Sequence, residues 1–315
     1  MVDGPEIDDE LEDTLIDMVN LLLKIEPDRD LFFRTITKHL NQGLFEFFEV
    51  MEFPSAKDKR MLASQFAIMV WNHSPLPSNN YQPILEPILD KNTPCVCESG
   101  KPFKQCCGLI LLSEMLPITT EMLTTYVLDE VSDSALKQAW HHLPPPLLGE
   151  IALAWCQEMD PDQAERVLLM LNPLFKQDEA KIDASYESAF DAIIDACSML
   201  NKSRKKSALI KRMMRHPDQR LRANAMHRQC CVLTDQGDIK QAWVCFQEAQ
   251  RIEPDNVGLS HLELLMLLSE NKSEQATMRA AYWIKRIQGM NPDGQYDHLL
   301  AWIQQVADDQ RGIVI

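Results

Sequence analysis

Glycine is scarce in this 315-residue chain, at ten residues, and no stretch alternates apolar and polar positions long enough to predict a strand. With hydrophobic residues at 45%, that scarcity excludes a largely disordered or low-complexity polypeptide. Positive charge is also short: 31 Lys and Arg stand against 47 Asp and Glu, for a formal net charge of −16. Such a balance repels a phosphate backbone at long range. It excludes broad DNA wrapping but leaves room for a small basic patch. Apolar runs such as VNLLLKI and LELLMLL are short and interrupted, so no transmembrane segment is expected. The opening MVDGPEIDDELEDTL has neither a basic region nor an apolar core, which argues against an export signal and for a cytoplasmic protein. A P-loop, a dinucleotide fingerprint, a serine elbow and an HExxH pair are all missing, so no catalytic residue is assigned.

What is present is helical periodicity. Residues 9–25 carry Leu11, Leu15, Ile16, Met18, Val19, Leu22 and Leu23 at amphipathic spacing, behind an acidic first turn. A second helical region runs through LFFRTITKHLNQGLFEFFEVM, and a third covers roughly Ser55 to Trp71 with Ser55 as N-cap. NHSPLPSNNYQP reads as loop. Beyond residue 108, two more candidate helices lead to LPPPLL, where a boundary is placed. From about Gly149 the pattern becomes a series of helix pairs, including one helix over 179–200. The expected fold is all-α. It comprises an N-terminal helical region (1–90), a small inserted cysteine module (91–108), a helical connector (109–148) and an α-solenoid of helix pairs (149–315).

Four of the nine cysteines crowd into KNTPCVCESGKPFKQCCG. Cys95 and Cys97 are one residue apart, Cys106 and Cys107 are adjacent, and eight residues separate the pairs. Thiolates suit zinc, and four protein ligands leave no open position, which points to structure rather than hydrolysis. A vicinal disulfide at Cys106–Cys107 and iron–sulfur ligation are the competing readings, although the spacing differs from the usual ferredoxin pattern. The remaining cysteines (Cys156, Cys197, Cys230, Cys231, Cys245) sit in helical patterns as expected buried thiols.

Asn92, Pro94, Cys95, Cys97, Ser99, Gly100, Lys101, Phe103, Lys104, Cys106, Cys107 and Gly108 follow one another as in the SEC-C motif, which this segment closely resembles. Glu98 departs from it, standing where the family usually has glycine. The resemblance implies one structural Zn2+ per chain, held by Cys95, Cys97, Cys106 and Cys107. It also implies a recognition role, because the related element of the protein-export motor ATPase contacts a chaperone and takes part in ribosome-associated function. Lys101, Phe103 and Lys104 are the candidate contact residues, with Phe103 alternatively packing over the zinc cage.

A second resemblance covers residues 223–256. Gly237 at a turn, then Ala242, Phe246, Ala249 and Pro254, follow the second-helix spacing of a tetratricopeptide repeat, while the first-helix Trp, Leu and Gly are absent. A bundle of unrelated helices is the alternative. Between Lys202 and Arg222 nine basic residues face one Asp218, and Lys205 and Arg212 represent that candidate patch for RNA, ribosome or an acidic protein. The combined expectation is a non-enzymatic adaptor or chaperone- and export-associated factor with a protein partner. An RNA- or ribosome-associated protein and a metal-dependent enzyme are the alternatives.

Overall fold

A computed structural model describes residues 9–25, 28–84, 92–97, 99–109, 118–291, 294 and 296–308. Glu98 and Pro292 lie outside the described residues, as do Asp8 and residues 85–91 and 110–117. Among the described residues the chain is all-helical with no β-strand, and only isolated bridges pair Leu76 with Gln82 and Pro94 with Pro102. It forms two compact units, Met1–Ile151 and Ala152–Ile315.

The first unit contains α1 (Asp9–Ile25), α2 (Arg29–Asn41), α3 (Glu46–Val50), α4 (Ala56–His73), α5 (Thr120–Glu130) and α6 (Asp133–Ala139). The acidic first turn of α1 and its buried stripe Leu11, Leu15, Met18, Val19 and Leu22 follow the periodicity of the sequence. The expected second helical region comprises two helices. Gly43 adopts φ +67° after α2 ends, a left-handed conformation that a continuing helix cannot contain. α4 has Ser55 as its N-cap, the hydroxyl accepting from the Asp58 amide. Its middle, Ala63 to Ala67, is buried on every side, including Ser64 and Gln65. A helix so enclosed must be surrounded, and α1, α2 and α5 all pack on it. An aromatic cluster of Phe47, Phe48 and Phe66 in edge-to-face contact, and of Phe32 and Phe33 against Trp71, fills this core.

α7 (Pro145–Gln157) begins within the proline run, where Pro145 and Pro146 occupy first-turn positions whose amides need no partner. The second unit continues with α8 (Pro161–Leu171), α9 (Glu187–Met199), α10 (Ser203–Met213), α11 (Gln219–Asp235), α12 (Ile239–Ile252), α13 (Gly258–Ser269), α14 (Ser273–Gln288) and α15 (Asp297–Asp308). The helix expected over 179–200 starts only at Glu187. Asp178 and Asp183 cap two separate 3-10 turns ahead of it, and their carboxylates draw the backbone away from α-helical bonding. From α8 onward each helix packs on the next, and α9, α11, α13 and α15 also touch one another in sequence. Neighbour-only packing of this kind is consistent with a helical solenoid.

The α11–α12 pair shows how the sequence achieves this. Gly237 takes φ +76° in the turn, Asp238 caps α12, and Ala242, Phe246 and Ala249 are all buried. The Cys230 thiol donates to the Ala242 carbonyl at 3.2 Å, so the small residues let α11 and α12 approach closely. Two polar clusters stitch successive layers. Arg228 pairs with Asp191 at 2.6 Å and Asp195 at 2.8 Å. Glu263 accepts from Arg279 through both oxygens and from the buried Trp283 indole.

Candidate metal centre

The cysteine segment is a miniature hairpin followed by two tight turns. The Cys95 amide donates to the Lys101 carbonyl at 2.9 Å, and the Phe103 amide donates to Thr93 at 2.9 Å. Gly100 closes the loop at φ +73°. The 3-10 turns Phe103–Gln105 and Cys107–Leu109 then bring the second cysteine pair back over the first. Gly108 is required for space: a Cβ there would stand 2.8 Å from the Phe103 carbonyl oxygen and 3.1 Å from its ring.

All four thiols are buried, and their Sγ atoms lie within 4.8 Å of one another. Cys97 Sγ is 3.4 Å from both Cys95 Sγ and Cys106 Sγ. Four sulfurs bound at about 2.3 Å around one zinc would stand roughly 3.8 Å apart along each tetrahedral edge. The observed spread brackets that value, so small side-chain adjustments complete the shell. None of the nine cysteines is disulfide-bonded.

Electrostatics reinforce the fit. Burial is the main force pushing the Cys95 and Cys107 thiols up. At Cys97 burial also acts upward, but hydrogen bonds with Ser99, Cys106 and Cys95 outweigh it and bring the thiol to about 7. The Ser99 hydroxyl donates to Cys106 Sγ at 3.2 Å, a sulfur-directed bond of the kind that orients metal thiolates. Four buried sulfurs cannot all ionise without a cation to offset their charge, and a divalent soft-acid ion supplies that offset.

Residues 92–109 match the SEC-C motif. The match covers this segment alone, and neither curated proteins nor solved structures yielded a match to the chain. Its four cysteines fit a structural zinc site, closed by protein ligands on every side.

The SEC-C segment is seated on α4. Phe103 and Met61 pack against the cysteine cluster, and Gln65 donates from its side chain to the Cys107 carbonyl. Met61 and Gln65 are one helical turn apart, so a single face of α4 grips the segment. Sequence reasoning missed both residues. The available signal was Gln65 itself, an uncharged polar side chain inside the apolar run LASQFAIMV. Phe103 thus packs on the cage, half-buried, while Lys101, Lys104 and Leu109 are exposed around it.

The basic run 202–222 looks different in three dimensions. Lys202 pairs with Glu165 at 3.7 Å, and Arg212 pairs with Glu179 at 3.0 Å while also donating to the Phe175 carbonyl. Arg222 donates to the His216 carbonyl, and Lys206 to Ser198. Lys205 is half-buried, and burial, with Lys202 and Lys176 nearby, holds its amine below the ordinary lysine value. Arg212 is therefore committed within the fold. Elsewhere, His141 lies against Trp140 with ring centroids 3.7 Å apart and planes tilted, and His216 is buried with its ring bonded to the Glu179 carbonyl and the Asp218 amide. Cys156, Cys197 and Cys230 are buried, whereas Cys231 and Cys245 are half-buried. No helix among the described residues is long and apolar enough to cross a membrane.

Proposed function

We propose that this chain is a non-enzymatic interaction adaptor of the cytoplasm, in which a zinc-stabilised knob and a tetratricopeptide-like helical surface engage protein partners. The observation that carries this reading is the closed four-thiolate cluster held on α4, with Lys101, Lys104 and Leu109 left outward. A metal with no open position rigidifies a surface rather than activating water. Two lysines beside an exposed leucine suit an acidic partner with an apolar contact, and the family's best-known member, in protein export, uses its element for recognition.

The test is affinity capture with zinc-loaded chain, compared with Lys101→Glu/Lys104→Glu and with Cys106→Ser. A specific partner that is lost with the charge reversal, while zinc content stays at parent level, supports the knob. An unchanged partner set in both variants rejects it. The RNA and ribosome reading has less support because Lys202, Arg212, Arg220 and Arg222 meet partners within the chain, with Arg220 still largely exposed. Salt-sensitive RNA binding abolished by Lys205→Glu would restore it. For a metal-dependent enzyme, no carboxylate or histidine joins the thiol cluster among the described residues.

A further inference from the structure

Two cavities of about 700 Å³ and 350 Å³ open side by side in the second unit, sharing Gly258 and Leu299 as a common wall. Cavities of this size hold side chains or small ligands. Their linings differ sharply. The smaller lies between α11 and α13, with Leu262, Leu265 and Leu299 beside half-buried Cys231 and His227. Burial is the main cause holding the His227 imidazole below its ordinary value, which disfavours its charged form.

The larger cavity is lined by Glu187, Glu253 and Asp255. Asp255 is paired with Arg286. Glu187 and Glu253 share one cation, Arg220, at 3.1 and 3.6 Å. The Arg220 side chain is 65% exposed, whereas those of the two glutamates are 27% and 22% exposed. Arg220 also stands in the first turn of α11, where the helix dipole disfavours positive charge. Burial, together with the charges of Glu253 and Asp191, raises the Glu187 carboxyl despite the pull of Arg220. Negative charge there is only partly compensated. Asp235, at the mouth of the apolar cavity, is exposed and has no ion-pair partner among the described residues.

We propose that this cleft binds an extended basic peptide segment. One apolar side chain of the peptide seats between α11 and α13. An arginine or lysine a few residues away reaches Glu187 and Glu253, a position that Arg220 fills in the free chain. The inference rests on reading the second unit as an interaction surface, and gives that surface a place and a ligand chemistry. It concerns the second unit rather than the SEC-C segment, and the opposite partner charge.

The probe is the labelled peptide GSGLSRRSG, followed by fluorescence anisotropy and by amide NMR shifts up to millimolar peptide with the full-length, zinc-loaded chain. Expected are saturable binding, shifts confined to residues around Gly258 and Leu299, and weakening at high salt. Replacing the peptide leucine with serine, or both arginines with glutamate, should each lower affinity by about tenfold or more. Glu187→Gln/Glu253→Gln should weaken binding similarly and flatten the salt dependence. Arg220→Ala should tighten it several-fold, because it uncovers two carboxylates.

Absence of shifts at millimolar peptide overturns the proposal, as does equal binding of the leucine-free or glutamate peptides. Weaker binding by a folded Arg220→Ala variant overturns the role given to Arg220. Loss of peptide binding while the zinc-dependent partner is still captured removes this cleft and leaves the adaptor reading. The opposite result removes the knob and leaves the cleft.

Discussion

Replacing Gln65 with leucine removes the side-chain donor that ties the SEC-C segment to α4 at nearly constant volume. Gln65 is 6% exposed, and its amide donates to the carbonyl of Cys107, a residue that is itself fully buried. Among the described residues Gln65 is the donor to that carbonyl, in the seat formed with Met61 and Phe103. A buried polar group left unpaired costs about 1–3 kcal/mol. The bond requires the Cys107 turn to be in place, and zinc binding by Cys106 and Cys107 would favour that turn. The cost therefore falls on the zinc-bound state, and zinc affinity should drop by roughly 5- to 150-fold. Competition with a chromophoric chelator measures this directly, while circular dichroism of the zinc-free variant checks that the helices persist. Unchanged zinc affinity alongside a lower melting temperature of the zinc-free chain would refute the coupling, because the bond would then belong to the helical core alone.

Cys106→Ser should bring zinc content well below one ion per chain, since it replaces a soft thiolate with a neutral hydroxyl, and metal analysis of the untagged protein reads the loss. Arg228→Met should destabilise the second unit by about 2–3 kcal/mol in urea titration, because it strands Asp191 and Asp195; the partial exposure of all three side chains keeps the cost at the low end for a broken pair. Glu187 titrates above the ordinary glutamate value, chiefly through burial, so its ionisation opposes folding once pH exceeds its unfolded value of ~4.3. Glu187→Gln should consequently gain stability relative to the parent as pH rises from the acid range to neutrality, and a difference that shrinks with pH would contradict this sign.

The helices and the ligand set were legible because both depend on spacing along the chain. Leu11 to Leu22 repeat at helical intervals, and the four cysteines needed only a turn between two close pairs. What escaped was set by distant residues or by single backbone conformations. Gly43 divides one helical region into two helices, and the carboxylates of Asp178 and Asp183 postpone α9 through local hydrogen bonds. The seat of the metal segment depends on Gln65, 42 residues before Cys107. The basic run shows the opposite limit: its charges are close in sequence, but Glu165, Glu179, Glu187 and Glu253 come from other elements to meet some of them. Linear charge density shows the cations and hides their partners.

The distribution of the nine thiols has an analytical consequence. Seven are buried and only Cys231 and Cys245 are half-buried, with burial raising both of those above the ordinary thiol value. A disulfide-exchange reagent at neutral pH should therefore colour slowly with the native protein and approach two equivalents. Release of the metal by a chelator would bring a second group of four into reach, and full denaturation would bring all nine. One absorbance trace can thus separate opening of the zinc cage from unravelling of the helices, with no label introduced.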